Sequence, residues 1–104
     1  MTPPQASSNL QYEFSRHKKD TIRAGAVEAL GYLKSDRAVD RLKEALTKDK
    51  NTRVRGAAAW GIGHTGRTEL IPVLRQAIAK DKAHTVRTNA LDAIAELQGE
   101  RRPQ

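Results

Sequence analysis

Cysteine is absent from the 104 residues. That excludes disulfides, thiolate nucleophiles and any zinc or iron–sulfur site built on cysteine. Aromatic residues are scarce as well: one Trp, two Tyr and one Phe, which leaves few rings on which nucleic-acid bases could stack. No stretch approaches the roughly 18 apolar residues of a membrane-spanning helix. Residues 1–9 carry no apolar run of the signal-peptide kind. The compartment expected is therefore the cytoplasm. Negative charge is in the minority: 12 Asp and Glu stand against 19 Lys and Arg, a formal net charge of +7. A surplus of that sign favours acidic partners and says nothing about fold. Alternation of apolar and polar residues with period two is almost missing, so strands are not expected.

What is present is self-similarity. Shifted by 32 residues, TIRAGAVEALGYL from Thr21 falls on RVRGAAAWGIGHT from Arg53, and that falls on TVRTNALDAIAEL from Thr85. Ile22, Val54 and Val86 share a column, as do Arg23, Arg55 and Arg87, then Ala26, Ala58 and Ala90, then Leu30, Ile62 and Ile94. Between these segments AVDRLKEALTKDK from Ala38 aligns without a gap on LIPVLRQAIAKDK from Leu70. The apolar positions inside each unit follow a three–four rhythm, which is helical. Each unit is thus two helices, A then B. Asp20 and Asn51 are the expected N-caps of A helices. Pro72 stands near the start of a B helix, where its missing N–H costs least. Leu10 and Phe14 fall in the columns of Leu42 and Leu46, so NLQYEFSRHKK reads as the B helix of a preceding unit. The spacing predicts helices over roughly 6–17, 20–33, 36–48, 52–64, 68–80 and 84–97. Residues 1–5 and 101–104 are expected as disordered tails around a domain over 6–100.

Helix pairs stacked at this period make an all-α architecture, an α-solenoid of about three two-helix repeats in the HEAT/armadillo manner. The A-helix pattern VRxxAAxALG, followed by a B helix of the form AVxxLxxAL, resembles the short HEAT-like repeat named after phycobilisome lyases, over about residues 20–97. In HEAT repeats an aspartate and an arginine six residues later form an inter-repeat ladder. Asp49 with Arg55 and Asp81 with Arg87 keep that spacing. Before Arg23 the column holds His17, and Asp20 is the nearest substitute. The resemblance implies a structural ladder of Arg23, Arg55, Arg87, Asp49 and Asp81. Proteins carrying such repeats include bilin lyase subunits, a helical appendage of epoxyqueuosine reductases, deoxyhypusine hydroxylases and many scaffolds. Fold alone does not choose among them.

Two sets of residues stand out as candidate sites. Trp60 shares its column with Glu28 and Asp92, which argues against a core position. Arg53, Ala57, Trp60 and His64 lie on one helical face at steps of four, three and four. The matching positions of the other units are Thr21, Gly25, Glu28, Tyr32 and Thr85, Asn89, Asp92, Glu96. The expectation is a solvent-facing stripe on which Trp60, His64 and Tyr32 cluster beside Arg53, since Trp, Tyr and Arg dominate protein contacts. The competing expectation is that Trp60 lies flat over the small residues of a neighbouring helix. Gly31 and Gly63, in one column, indicate close helix approach. The second set is a basic rim of Arg16, Lys18, Lys43, Lys48, Lys50, Arg75, Lys80 and Lys82, a track for phosphates or a solvated edge.

Catalysis has no visible basis. GIGHTG lacks the Lys-Ser/Thr of a phosphate loop. His17, His64 and His84 occupy different columns and none adjoins a glutamate, unlike the hydroxylases of the superfamily. No cofactor and no metal is expected. The sequence reading is a non-catalytic protein-interaction or scaffolding module. Its alternatives are an RNA- or DNA-binding appendage using the basic rim, such as one attached to a tRNA-modifying enzyme, and an accessory subunit of a phycobilin lyase. The third A helix carries Val86, Ala90, Leu91, Ile94 and Leu97, and part of that face is expected to be exposed and to offer a homo-oligomer contact.

Overall fold

A computed structural model describes residues 19–99. The expected helix over 6–17, the two expected tails, and Arg16, His17 and Lys18 lie outside the described residues. Helix α1 covers 19–30. It is followed by α2 (Asp36–Lys48), α3 (Thr52–Gly63), a 3-10 turn (Thr68–Leu70) leading into α4 (Ile71–Lys80), and α5 (His84–Leu97). There is no strand among the described residues, and no helix among them is long and apolar enough to cross a membrane. The molecule is an all-α solenoid: α1, α3 and α5 are the A helices, α2 and α4 the B helices.

The helix ends follow from local chemistry. The Ser35 hydroxyl accepts from the Ala38 N–H at 3.1 Å and starts α2. The Asn51 side chain accepts from the Val54 N–H at 3.2 Å and starts α3. Each satisfies one of the donors a helix N-terminus leaves over. Pro72 occupies the first turn of α4, as its lack of an N–H requires. Asp20, expected as a cap, lies inside α1; its carboxylate instead meets Arg23 at 2.9 Å and the Asn51 side-chain amide at 3.2 Å. The last turn expected for the first A helix is a non-helical turn over 31–33.

The core is aliphatic and repeats with the sequence. Leu42 and Leu74 of the B helices, with Val54, Ala58, Ile62, Val86 and Ala90 of the A helices, are fully buried in one cluster. Burying each larger aliphatic side chain contributes about 1.5–3 kcal/mol. Glycines set the spacing of the A layer. A Cβ on Gly31 would overlap the Gly61 carbonyl, and one on Gly63 would lie 2.9 Å from Cα of Ala93. Backbone therefore meets backbone between α1 and α3 and again between α3 and α5, as the shared column of Gly31 and Gly63 foretold.

Candidate functional site

The close approach of the A helices lays a groove across all three of them. Its volume is about 690 Å³, and it is lined by Thr21, Gly25 and Glu28 of α1, Thr52, Arg53, Gly56, Ala57 and Trp60 of α3, and Thr85 and Asn89 of α5, with Ala24 beneath. The floor is bare because its residues are small. A Cβ at Gly25 would meet no atom within 4 Å. At Gly56 the space is taken by Asn89, whose side-chain amide donates to the Gly56 carbonyl at 3.1 Å and ties α5 to α3. Arg53 is exposed on one wall and its guanidinium donates to the Thr21 hydroxyl at 3.4 Å.

The opposite wall is aromatic. The rings of Trp60 and His64 meet edge-on with centroids 3.8 Å apart. Tyr32 stacks on His64 at 5.4 Å with an interplanar angle of 15°, and meets Trp60 edge-on at 6.0 Å. Residues from two repeats thus form one aromatic cluster. It is not the evenly solvent-facing stripe expected from the columns: Tyr32 is exposed, whereas Trp60 and His64 are half-buried. Trp60 lines the groove. His64 Nε2 is buried with no hydrogen-bond partner, enclosed where the rings pack.

The edge between B and A helices has a different order. Asp49 Oδ2 accepts from Arg23 Nε at 3.0 Å and Asp49 Oδ1 from Arg23 Nη2 at 3.1 Å, while Oδ1 also accepts the Asn51 N–H at 2.9 Å. The Asp49 carbonyl accepts from Arg55 Nη1 at 2.9 Å. One repeat later the same set recurs: Asp81 takes Arg55 Nε at 2.8 Å, Arg55 Nη2 at 3.3 Å and the Ala83 N–H at 3.0 Å, and its carbonyl takes Arg87 Nη1 at 3.0 Å. The carboxylate partner is therefore the aspartate 26 residues later. The aspartate six residues earlier, whose spacing suggested an ion pair, offers its backbone carbonyl. The reason is geometric: each aspartate carboxylate is folded back onto the turn by the N–H two residues on, and only the preceding repeat can reach it. The Arg23 hydrogen bond, which outweighs burial, holds the Asp49 carboxyl below its ordinary value of 3.8. Burial raises Asp81, but the Arg55 hydrogen bond and the Ala83 N–H together bring it below 3.8.

A family model described as HEAT repeats matches residues 7–95. The chain belongs to the HEAT-repeat family. No curated protein matches it. HEAT repeats commonly mediate protein–protein interaction and are generally non-catalytic. In this HEAT-repeat chain, no group of three or more His, Asp or Glu could hold a metal ion among the described residues.

The other candidate residues fall in separate places. Lys48 and Lys80 are the last residues of α2 and α4, Lys50 and Lys82 lie in the turns that follow, and Arg75 lies on α4; all are exposed. Lys43, on α2, is half-buried. The apolar face of α5 is covered in the main and exposed in part: Val86 and Ala90 are fully buried, Leu97 is buried, and Ile94 is half-buried. Packing on α3 and α4 covers it, and Leu91 alone of the five is exposed. Sequence reasoning missed Arg67, which donates to Asp36 Oδ1 and to the Lys34 carbonyl, both at 2.8 Å, and clips the first A–B turn to the second. Its column holds Ser35 and Gly99, so periodicity carried no signal for it.

Proposed function

We propose that the chain is a non-catalytic protein-interaction module built from repeats of the phycobilisome-lyase type, and that it receives its partner in the groove across α1, α3 and α5. The observation that carries this reading is the joint presence of a small-residue floor and the half-buried, aromatic-backed Trp60 in one groove spanning every A helix. A large amphipathic ring held in place by its neighbours loses little conformational freedom on binding, the property that makes Trp a frequent contact residue. Trp60→Ala tests it. The variant keeps the buried aliphatic cluster, so its stability falls by no more than about 2 kcal/mol in chemical denaturation, while capture of partners by the immobilised chain is lost. A stability loss of 4 kcal/mol or more with partner capture intact would make Trp60 a structural residue only.

A second reading rests on the basic rim. The carboxylates interspersed there, Asp49 and Asp81, are engaged by Arg23 and Arg55, which leaves Lys48, Lys50, Lys80 and Lys82 as an exposed cationic edge. Light scattering with a short RNA at low and moderate salt separates the two. An RNA-induced mass shift that disappears with salt would favour the rim.

A further inference from the structure

The groove is balanced in charge and one-sided in hydrogen bonding. Its charged lining is Glu28 and Arg53, one of each sign, so it does not select a ligand by net charge. Its spare hydrogen-bonding capacity lies mainly in donors. The Trp60 indole N–H has no acceptor among the described residues and, unlike His64 Nε2, is not enclosed. Arg53 is exposed and gives one N–H to the Thr21 hydroxyl at 3.4 Å; its other N–H groups meet no acceptor among the described residues. The helix backbones beneath add little, because their N–H and C=O groups are bonded along each helix. Even the Gly56 carbonyl, where a side chain is missing, already accepts from the Asn89 amide.

From this we infer that the groove takes a proline-rich segment of a partner protein in the polyproline II conformation, with a pyrrolidine ring laid against Trp60. This rests on the groove being the binding face. Proline has no N–H, so such a segment offers carbonyl acceptors with few donors, the complement of what the groove presents. An ordinary extended strand brings an N–H at every residue. Strand addition needs an open sheet edge to receive those groups, and a wall of helices has none; each N–H shut off from water without an acceptor costs affinity. The ring chemistry agrees, since proline-rich segments dock in grooves lined by aromatic residues. The bare floor at Gly25 and Ala57 leaves room for the pyrrolidine rings. Neither side has much freedom to lose. Trp60 is braced by His64 and Tyr32, with centroids 3.8 and 6.0 Å away, and a polyproline helix is formed before it binds. Packed helices lie about 8–10 Å apart, so crossing from α1 to α5 needs about five or six residues at about 3.1 Å each.

Trp60 is the chain's only tryptophan, so its fluorescence reads the site directly in the intact protein. The probes are two capped heptapeptides, Pro-Pro-Leu-Pro-Pro-Leu-Pro and the same peptide with Ser at every Pro, and a short oligouridylate. The Pro peptide is expected to shift Trp60 emission saturably, at concentrations about tenfold below any response to the flexible Ser peptide. Gly25→Gln extends a side chain into the groove from a position with open space around it and abolishes the response. Trp60→Phe keeps a ring and removes the indole N–H; read by calorimetry, it weakens the Pro peptide roughly tenfold, the loss expected for one carbonyl left unpaired. An equal or stronger response to the Ser peptide overturns the proline-rich partner, while its blockade by Gly25→Gln upholds the groove. A stronger response to oligouridylate also overturns the inference. Responses that Gly25→Gln leaves unchanged overturn the groove and the inference together. No response to any probe overturns the inference, and partner capture by Trp60→Ala then decides the groove alone. Residues 3 and 4 of the chain are themselves prolines. A shift in the emission of the unliganded protein on Pro3→Ser/Pro4→Ser would make that pair the occupant and overturn the partner.

Discussion

Helices α1 and α3 are written in the same register, yet they are buried to very different extents. Ile22 of α1 is 59% exposed, whereas Val54 in the same column is fully buried, and the Ala26 position is open where Ala58 is closed. The difference lies in the neighbours. Helix α3 has α1 and α5 beside it and is packed on α2, whereas α1 meets α3 near Gly31 and its Ile22 and Ala26 side chains are exposed. In a solenoid, burial belongs to the stack and not to the repeat. An identical apolar column therefore has different energetic weight in successive units.

The largest expected effect separates two isoleucines. Ile62→Ala in α3 empties space in a fully packed cluster and lowers the unfolding free energy by about 2–5 kcal/mol. Ile22→Ala in α1, from an exposed side chain, costs less than about 1 kcal/mol. Urea denaturation of both variants measures the contrast directly. A cost at Ile22 approaching that at Ile62 would show that a further element covers the α1 face, and the comparison between the two helices would then close.

Next in size is a contrast between α1 and the turn that ends it. Gly31→Ala drives a methyl group into the Gly61 carbonyl and separates α1 from α3, at a cost of about 1–3 kcal/mol. Gly25→Ala places the same methyl in open space inside the helix and is expected to stabilise by up to about 1 kcal/mol through helix propensity. Opposite signs in thermal melts would establish that one glycine spaces the A layer and the other only bares the groove floor. Equal signs would remove that distinction.

These contrasts indicate what the amino-acid pattern could reveal. The 32-residue offset located the described helices to within a few residues, because buried aliphatic residues recur at helical spacing and Asn51 and Pro72 mark starts on local chemistry alone. The same offset brought Tyr32, Trp60 and His64 onto one face. It could not give their depth. Trp60 is half-buried because His64 and Tyr32 close around it, a matter of side-chain packing across repeats that columns do not encode. The ladder shows the same boundary. Its five residues were legible as columns, but the pairing was not, since the aspartate carboxylate is claimed by its own turn and reached only from the preceding repeat. Arg67 was invisible because nothing repeats it.

Acid unfolding sharpens the comparison at the ladder. The carboxyls of Asp49 and Asp81 both sit below the ordinary 3.8 in the folded protein. The unfolded chain therefore binds protons first as pH falls. The stability each pair contributes is present above about pH 4 and is lost as pH drops through the lowered folded value. Asp81→Asn, at the more enclosed pair, is expected to cost about 1–2 kcal/mol at neutral pH and to flatten the melting-temperature decline below pH 4. Asp49→Asn, whose Arg23 partner is more open to solvent, is expected to cost less. A decline as steep in both variants as in the parent would assign the acid sensitivity to other carboxylates.

The smallest expected effect compares the two A–B turns. Lys34 and Gly66 share a column, and both adopt left-handed backbone, with φ of 59° and 75°. Glycine accepts that conformation freely, whereas a residue with a Cβ is strained there by about 1–2 kcal/mol in the regular left-handed case. Lys34 is held there because its carbonyl accepts from Arg67, an interaction with no counterpart at Gly66 among the described residues. Lys34→Gly keeps the carbonyl and removes the strain, so it should stabilise the protein by up to about 1 kcal/mol; Gly66→Lys should destabilise it by a similar amount. In the background Arg67→Ala the gain from Lys34→Gly is expected to shrink, since the turn is then free to relax without glycine. A gain undiminished by Arg67→Ala would mean that packing of α1 and α2, and not the guanidinium clip, imposes the left-handed turn.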